Sequence, residues 1–423
     1  MYRCKLKHTL SSSWLKPAII ILSCTSWICM ILFMWGPLSL TDMLQKQSTN
    51  HGSKTNGIFS VFNPGTWWAH RQMPAADFVA GPPCQPRNRI VYIKTHKTAS
   101  STITTILERY GHQRGLNFAL PYEYSFSRTA KFNSSMVFLN NVTDRNGGLV
   151  LPALGGFHLI VNHLRYDRRA LNALIPNAVY ITIIREPSSQ FVSAFCYYNI
   201  GLKVKRTKNA SNNLEAFLAD EKNNFSNVRN ARDLIFVINA NVYDLGMDPK
   251  FRDPQSVNET IKSLSEQLDL VMITEYFDES LILLKRLLCC DFDDILYISH
   301  GVAKGCARRN VKPDVRSKIQ KLNQADAQLY LHFNQTFWEK VRSYGKSFQQ
   351  DLERFRKLKL EVTQPCLANA TKYTDIHHAR IVRIPQESNA SKKCRDLVRT
   401  DTEWVDMLKK YMYNKIKTFN STV

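Results

Sequence analysis

Glycine is scarce in this chain, at 16 of 423 residues, and residues 82–110 contain none. That glycine-free stretch holds the strongest anion-binding candidate, so its loop is not the G-x-x-x-x-G-K-[ST] cradle of nucleoside-triphosphate enzymes, which argues against a kinase of that type. Metal-binding patterns are missing as well. Neither a C-x-x-C pair nor a Cys/His cluster at zinc spacing occurs among the 10 cysteines and 11 histidines, and no metal is called for. Acidic residues are few: 35 Asp and Glu against 57 Lys and Arg leave a formal net charge of +22. An excess of that size points to nucleic acid, an anionic membrane surface or anionic ligands, with part of it simply solvating the surface.

Charge of either sign is absent from residues 17–40, a run long enough to cross the roughly 30 Å hydrocarbon layer as one helix. Arg3, Lys5, Lys7 and Lys16 precede it and favour a cytoplasmic N-terminus. The run is long for a signal-peptide core and no clear A-x-A-like site follows it. The reading is therefore an uncleaved type II anchor, with residues 1–16 as cytoplasmic tail and the remainder lumenal. N-x-[ST] sequons at Asn133, Asn141, Asn209, Asn224, Asn258, Asn334, Asn369, Asn389 and Asn420 support that side of the membrane. Lumenal placement removes nucleic acid as a partner and leaves a doubly anionic cofactor and the membrane face. Cys84, Cys196, Cys289, Cys290, Cys306, Cys366 and Cys394 lie beyond the anchor. Their odd number leaves at least one free or paired with another chain, beside a few structural disulfides of open connectivity.

Residues 41–88 are rich in Ser, Thr, Asn, Gly and Pro without a sustained period, and read as a lumenal stem. Strand signals follow at 89–93, 157–161, 178–184 and 268–273, each with a polar turn and most with a helical pattern after it. That alternation predicts an α/β fold with a largely parallel sheet, whose ligands bind at the carboxyl ends of the strands. Residues 199–254 are polar, include Lys203-Val204-Lys205-Arg206 and interrupt the pattern, as a lid or acceptor-binding insertion or as a surface excursion. Pro313 opens a predicted helix with apolar positions Val315, Ile319, Leu322, Ala325, Leu329 and Phe333. Residues 346–423 read as a basic helical extension packed on residues 89–345, through Phe348, Leu352 and Phe355 and through Trp404, Leu408, Tyr411 and Met412. Contact of those stripes with the membrane surface is the alternative.

Two segments carry chemistry. Ile90-Val91-Tyr92-Ile93 runs into Lys94-Thr95-His96-Lys97-Thr98-Ala99-Ser100-Ser101-Thr102, and then into Ile103, Ile106, Leu107 and Tyr110 at helical spacing. Free N–H groups at a helix start, two lysines and several hydroxyls converge there, where a phosphate or sulfate would sit. The second segment places Arg185 at the end of a strand, Pro187 in the first turn of a helix and Ser193 about two turns along it. A guanidinium fork and a hydroxyl can grip one phosphate together.

Both segments resemble a known family. The loop from Lys94 to Thr102 resembles that of the galactose 3-O-sulfotransferases. The Arg185/Ser193 pattern resembles the 3′-phosphate site of sulfotransferases that use 3′-phosphoadenosine 5′-phosphosulfate (PAPS). Asn162-His163-Leu164-Arg165-Tyr166 is similar to the family's N-H-[ML]-R-[FY], and residues 275–289 to its E-Y-F-D-E-S-L-x-L-L-K-x-L-L-C. The resemblance covers roughly residues 84–345 and is looser beyond. It lapses at Ser299-His300-Gly301-Val302-Ala303-Lys304-Gly305, where relatives carry K-L-N-A-R.

The resemblance implies a P-loop-like sulfotransferase fold, a central parallel sheet flanked by helices and preceded by a single transmembrane helix, in the Golgi membrane with its catalytic domain lumenal. It implies transfer of sulfate from PAPS to the 3-hydroxyl of galactose on a galactosylceramide-like glycolipid or a glycoprotein glycan. Another sugar acceptor or position, and a non-catalytic lumenal glycan-binding protein of the same fold, are the alternatives. By alignment, Lys97 would stabilise charge on the oxygen bridging to the 5′-phosphate. Thr98, Ala99, Ser100, Ser101 and Thr102 would bind the phosphosulfate, Lys94 would assist, and Arg185 with Ser193 would hold the 3′-phosphate. A histidine suits removal of the acceptor proton. His163 is expected as the base and His96 as a positioning or second proton-handling group. Oligomeric state stays open, a homodimer included.

Overall fold

The computed structural model describes residues 84–422 except 128, 205–212, 229–230, 249–252, 300–301, 304–310, 369–371, 377–378 and 384–388. The expected tail, anchor and nearly all of the stem lie outside the described residues, as do most of the divergent 299–305 stretch and the basic pair Lys205-Arg206. Among the described residues no helix is long and apolar enough to cross a membrane.

Four strands build the central sheet: β1 (Ile90–Ile93), β2 (Leu159–Ile160), β3 (Val179–Ile184) and β4 (Leu270–Ile273). All pair in parallel, in the order β2-β1-β3-β4. A parallel strand covered by helices on both faces has no solvent face to mark with polar residues. That is why β1 reads Ile-Val-Tyr-Ile without alternation, and each of its residues is fully buried. Each such aliphatic side chain contributes about 1.5–3 kcal/mol on burial. The chain leaves β1, returns as β2 on one side and then crosses to β3 on the other. The carboxyl ends of β1, β2 and β3 therefore open together at the switch point where α/β sheets bind ligands.

The helices that matter to the site are α1 (Ser100–Gln113), α2 (Pro187–Tyr197), α3 (Ala240–Asp244), α4 (Pro254–Gln267), α5 (Phe277–Leu288), α6 (Pro313–Leu322), α7 (Gln324–Tyr344), α8 (Ser347–Ala368), α9 (Lys392–Val398) and α10 (Asp401–Thr422). Ile103, Ile106, Leu107 and Tyr110 of α1 are buried, as their spacing requires. Phe348, Leu352, Phe355, Trp404, Leu408 and Met412 share one apolar core with β1, so the C-terminal stripes pack inward.

Three expectations need correction. The single helix predicted from Pro313 is two, α6 and α7, because Asn323 breaks it: its side chain donates to the Ile319 carbonyl and accepts from the Asn239 N–H. The C-terminal region is not wholly helical. Strands β6 (Lys372–Ile376) and β7 (Ala379–Arg383) form an antiparallel hairpin that pairs with β5 (Val302–Ala303). The polar segment after α2 is not simply a surface excursion, since it folds into short helices over a second apolar cluster and ends in α3 at the mouth of the sheet.

The cysteines behave as the odd count implies. Cys84–Cys289 and Cys366–Cys394 are disulfides, Cys196 is also disulfide-bonded, and Cys290 is a buried free thiol. Burial pushes the Cys290 thiol up to about 12, which makes it inert.

Candidate active site

The loop between β1 and α1 turns through two left-handed residues, Lys97 at φ 62° and Ala99 at φ 60°. Non-glycine residues hold that conformation at a cost of about 1–2 kcal/mol each. Such strain, over-determined by its surroundings, is what functional loops store. Thr95 is the internal tie: its hydroxyl donates to the Ile183 carbonyl of β3, and its own carbonyl accepts from the Ser100 hydroxyl at 2.5 Å. Thr98 Oγ1 lies 2.7 Å from Thr95 Oγ1, and Thr274 at the end of β4 donates to the Thr98 carbonyl at 2.8 Å. The Thr98 and Ser100 hydroxyls thus shape the loop, and its backbone is what faces outward. Ala99 caps α1 without a side-chain hydrogen bond. The N–H groups of residues 97–101 donate to no acceptor among the described residues. Thr102 is buried and donates its N–H to the Ala99 carbonyl at 3.1 Å.

Lys97 stands over the ring of Tyr197 at the end of α2, 3.7 Å from its centroid. Burial, then the charges of Arg185 and Lys94, lower its pKa to about 8. Arg185 leaves the end of β3, as its position in the sequence requires, and donates to the Lys97 carbonyl at 3.2 Å. Its Nε is buried and makes no hydrogen bond, the Glu275 carboxylate standing 3.9 Å away. Glu275, raised by its burial, instead accepts from the Glu186 N–H and the Tyr330 hydroxyl. Pro187 occupies the first turn of α2, Glu186 caps it, and Ser193 is buried farther along the same helix.

Lys94 is placed differently from the rest. It is 4% exposed and pairs at 2.6 Å with Asp401, the first residue of α10, which also accepts from the Ser101 hydroxyl at 2.9 Å. Lys94 and the Ser101 side chain are therefore engaged within the protein, and Lys97 and Arg185 are the cations left beside the loop backbone.

The two histidines meet face to face, with ring centroids 4.1 Å apart and planes 16° from parallel. His163 sits just past β2, its Nδ1 3.0 Å from the Lys94 carbonyl. A carbonyl only accepts, so Nδ1 carries the proton and Nε2 is the open nitrogen. Burial, then His96 and Lys94, hold the His163 pKa well below its ordinary value. On its other face His96 stacks on Phe236 at 4.1 Å. Its Nδ1 lies 2.9 Å from both oxygens of Asp244, whose Oδ2 also accepts the His96 N–H at 2.7 Å.

The structure thus gathers Lys97, His96, His163 and Arg185 around the carboxyl ends of β1–β3, while Ser193 is buried on α2. Sequence reasoning missed Asp244, Phe236, Tyr197 and Asp401. Only Asp401 carried a signal, as part of the helix-start pattern Thr400-Asp401-Thr402-Glu403; the others approach through tertiary contacts that no local spacing encodes.

The loop chemistry fits an anionic donor: N–H groups at a helix start that donate to no acceptor among the described residues, a half-buried lysine, and an arginine whose Nε makes no hydrogen bond. Among the described residues no His/Cys/Asp/Glu group could hold a metal ion. The galactosylceramide sulfotransferases of Bos taurus and Homo sapiens are 36% identical to this chain over 271 and 272 residues, covering 62% of it and 60% of each relative. Galactose-3-O-sulfotransferase 3 of Bos taurus is 34% identical over 299 residues, 68% of this chain and 66% of the relative. The matches to the galactosylceramide sulfotransferases thus span 60% of those proteins' length. The family pattern described as galactose-3-O-sulfotransferase matches residues 5–390. The chain belongs to the galactose-3-O-sulfotransferase family.

Proposed function

We propose that this protein transfers sulfate from PAPS to the 3-hydroxyl of a galactose on a galactosylceramide-like glycolipid or a glycoprotein glycan. The observation that supports the reading is the juxtaposition of the unpaired loop N–H groups with the Arg185 guanidinium, which is joined to the loop by its hydrogen bond to the Lys97 carbonyl. When bound, the donor supplies an activated sulfuryl group. Residues 97–101 bind its phosphosulfate through backbone N–H groups, and Arg185 with Ser193 holds the 3′-phosphate. Lys97, held over the Tyr197 ring, supplies the cation that stabilises negative charge growing on the leaving oxygen. The histidine pair receives the acceptor proton. No metal enters the reading.

The family match begins at residue 5 and so includes the uncharged 17–40 run. We read that run as a type II anchor in the Golgi membrane and the sequon-bearing remainder as lumenal.

The test uses the full chain in detergent, labelled PAPS, and galactosylceramide and a galactose-terminated N-glycan side by side. The expected result is labelled product on at least one acceptor, mapped to the galactose 3-position, and its loss in Lys97→Ala. Product at another sugar position, or undiminished activity of the variant, overturns the corresponding part of the reading.

A further inference from the structure

Asp244 belongs to none of the motifs quoted above and lies within the polar stretch after α2. It is nonetheless among the best-fixed side chains in the site. It is 3% exposed, and α3, which carries it, is held from three directions. Asp326 of α7 accepts from the Asn241 and Val242 N–H groups at 3.0 and 2.9 Å. Tyr166, three residues past His163, donates its N–H to the Asp244 carbonyl at 3.0 Å. Arg165 lies over the Tyr243 ring at 4.4 Å and donates to the Met247 carbonyl at 2.7 Å. This scaffold presents both carboxylate oxygens to one residue, His96. The His96 carbonyl is held from the other side by the Gln190 amide at 3.1 Å.

A carboxylate facing Nδ1 keeps the proton there and leaves Nε2 as the acceptor nitrogen. It also supplies the negative charge that an imidazolium needs nearby. Among the described residues His163 has no such partner, only the Lys94 carbonyl, and His96, Lys94 and Lys97 stand near it. Two stacked rings 4.1 Å apart do not both carry charge at low cost.

We propose that His96 is the proton acceptor of the transfer and that Asp244 is the positioning residue that makes it so, with His163 a neutral stacking partner. The acceptor O–H gives its proton to His96 Nε2 as its oxygen bonds to sulfur. The bond from sulfur to the donor's phosphate oxygen breaks, and its electron pair leaves on that phosphate. This assignment rests on the sulfotransferase reading above.

The experiment has two readouts. In wild-type protein with 15N-labelled histidine, NMR is expected to show His96 as the Nδ1–H tautomer, and Asp244→Asn to convert it in part or whole to Nε2–H. The same variant is expected to lose at least about a hundredfold in kcat, within the range of general-base contributions, while KM for PAPS and the affinity for 3′-phosphoadenosine 5′-phosphate stay within about twofold. An Nε2–H tautomer in the wild type overturns the proposal, and so does a kcat within threefold of wild type. A matching loss of donor affinity shows collapse of the loop and overturns it as well. If the wild type transfers no sulfate, the sulfotransferase reading has failed, while the tautomer still decides the pairing of His96 with Asp244.

Discussion

Asp401 and Lys94 are 307 residues apart in sequence and 2.6 Å apart in the fold. The contact places the first residue of the last helix against the end of the first strand. A capping box fixes it: Thr400 donates its N–H to Glu403 at 2.8 Å, and the Glu403 N–H returns to the Thr400 hydroxyl at 3.4 Å. Trp404, fully buried on the same helix, seats the turn against the core.

Removing one partner of that pair leaves a buried charge without compensation. Asp401→Ala is expected to lower stability by about 3 kcal/mol, the low end for broken buried pairs because the aspartate side is partly exposed. Lys94→Met combined with Asp401→Ala is expected to recover most of that loss. Urea unfolding of both single variants and the double variant measures it. Additive losses would show that the pair does not act as a unit.

Lys97 sets a pH dependence for donor binding. Its pKa is lowered to about 8, so in the free protein the ammonium is charged below that pH and loses its proton above it. A bound dianion favours the charged form. Affinity for 3′-phosphoadenosine 5′-phosphate is therefore full below about pH 8 and falls by up to about tenfold per pH unit above it, until the bound form also deprotonates. Titration calorimetry from pH 6.5 to 9.5 should show this slope in the wild type and its absence in Lys97→Met. A slope that survives the substitution would assign the proton elsewhere.

The parts of this protein that were legible in the sequence are those whose signal is local. The four strands of the central sheet are short apolar runs rich in β-branched residues, and the loop and Arg185 sit directly after two of them, so strand ends located the site. What was not legible is set by tertiary contact. The apolar period from Val315 to Phe333 runs unbroken across Asn323, and only the bonds that Asn323 makes to Ile319 and Asn239 divide the helix there. The β6–β7 hairpin carries Lys372, Asp375, Arg380 and Arg383 among its strand residues, which blurs its alternation. Alignment ranks Lys97 above Lys94, but nothing local in the chain says that Lys94 is buried in an ion pair. Asp401 and Tyr197 distinguish them, and neither is near them in sequence.

Gly246 links that tertiary layer to the site. It adopts φ +91°, and a Cβ there would lie 2.6 Å from the Tyr166 carbonyl oxygen, which is backbone and cannot swing aside. Gly246→Ala is expected to cost about 2–3 kcal/mol in stability, through strain at a positive φ and displacement of the neighbouring backbone. Because Asp244 lies two residues earlier, kcat should fall along with the urea midpoint, with donor affinity less affected. A midpoint shift equivalent to less than about 0.5 kcal/mol would mean that the segment yields easily and that Asp244 is not rigidly held.

Arg185 provides the sharpest discrimination between ligands. Its Nη1 is committed to the Lys97 carbonyl, whereas its buried Nε makes no hydrogen bond and stands 3.9 Å from Glu275. A phosphate at the exposed part of the guanidinium would accept from it and pair with its charge, which a lysine in its place cannot reproduce in the same planar geometry. A hydrogen bond to a charged group contributes about 1.5–3 kcal/mol, which is roughly 10- to 100-fold in affinity. Arg185→Lys is expected to weaken binding of 3′-phosphoadenosine 5′-phosphate by that factor and to leave adenosine 5′-phosphate, which lacks the 3′ group, nearly unchanged. Calorimetry with the two nucleotides makes the comparison directly. Equal losses for both would place Arg185 at the 5′ group or in the architecture of the loop, through its bond to Lys97, and would leave the 3′-phosphate without its assigned residue.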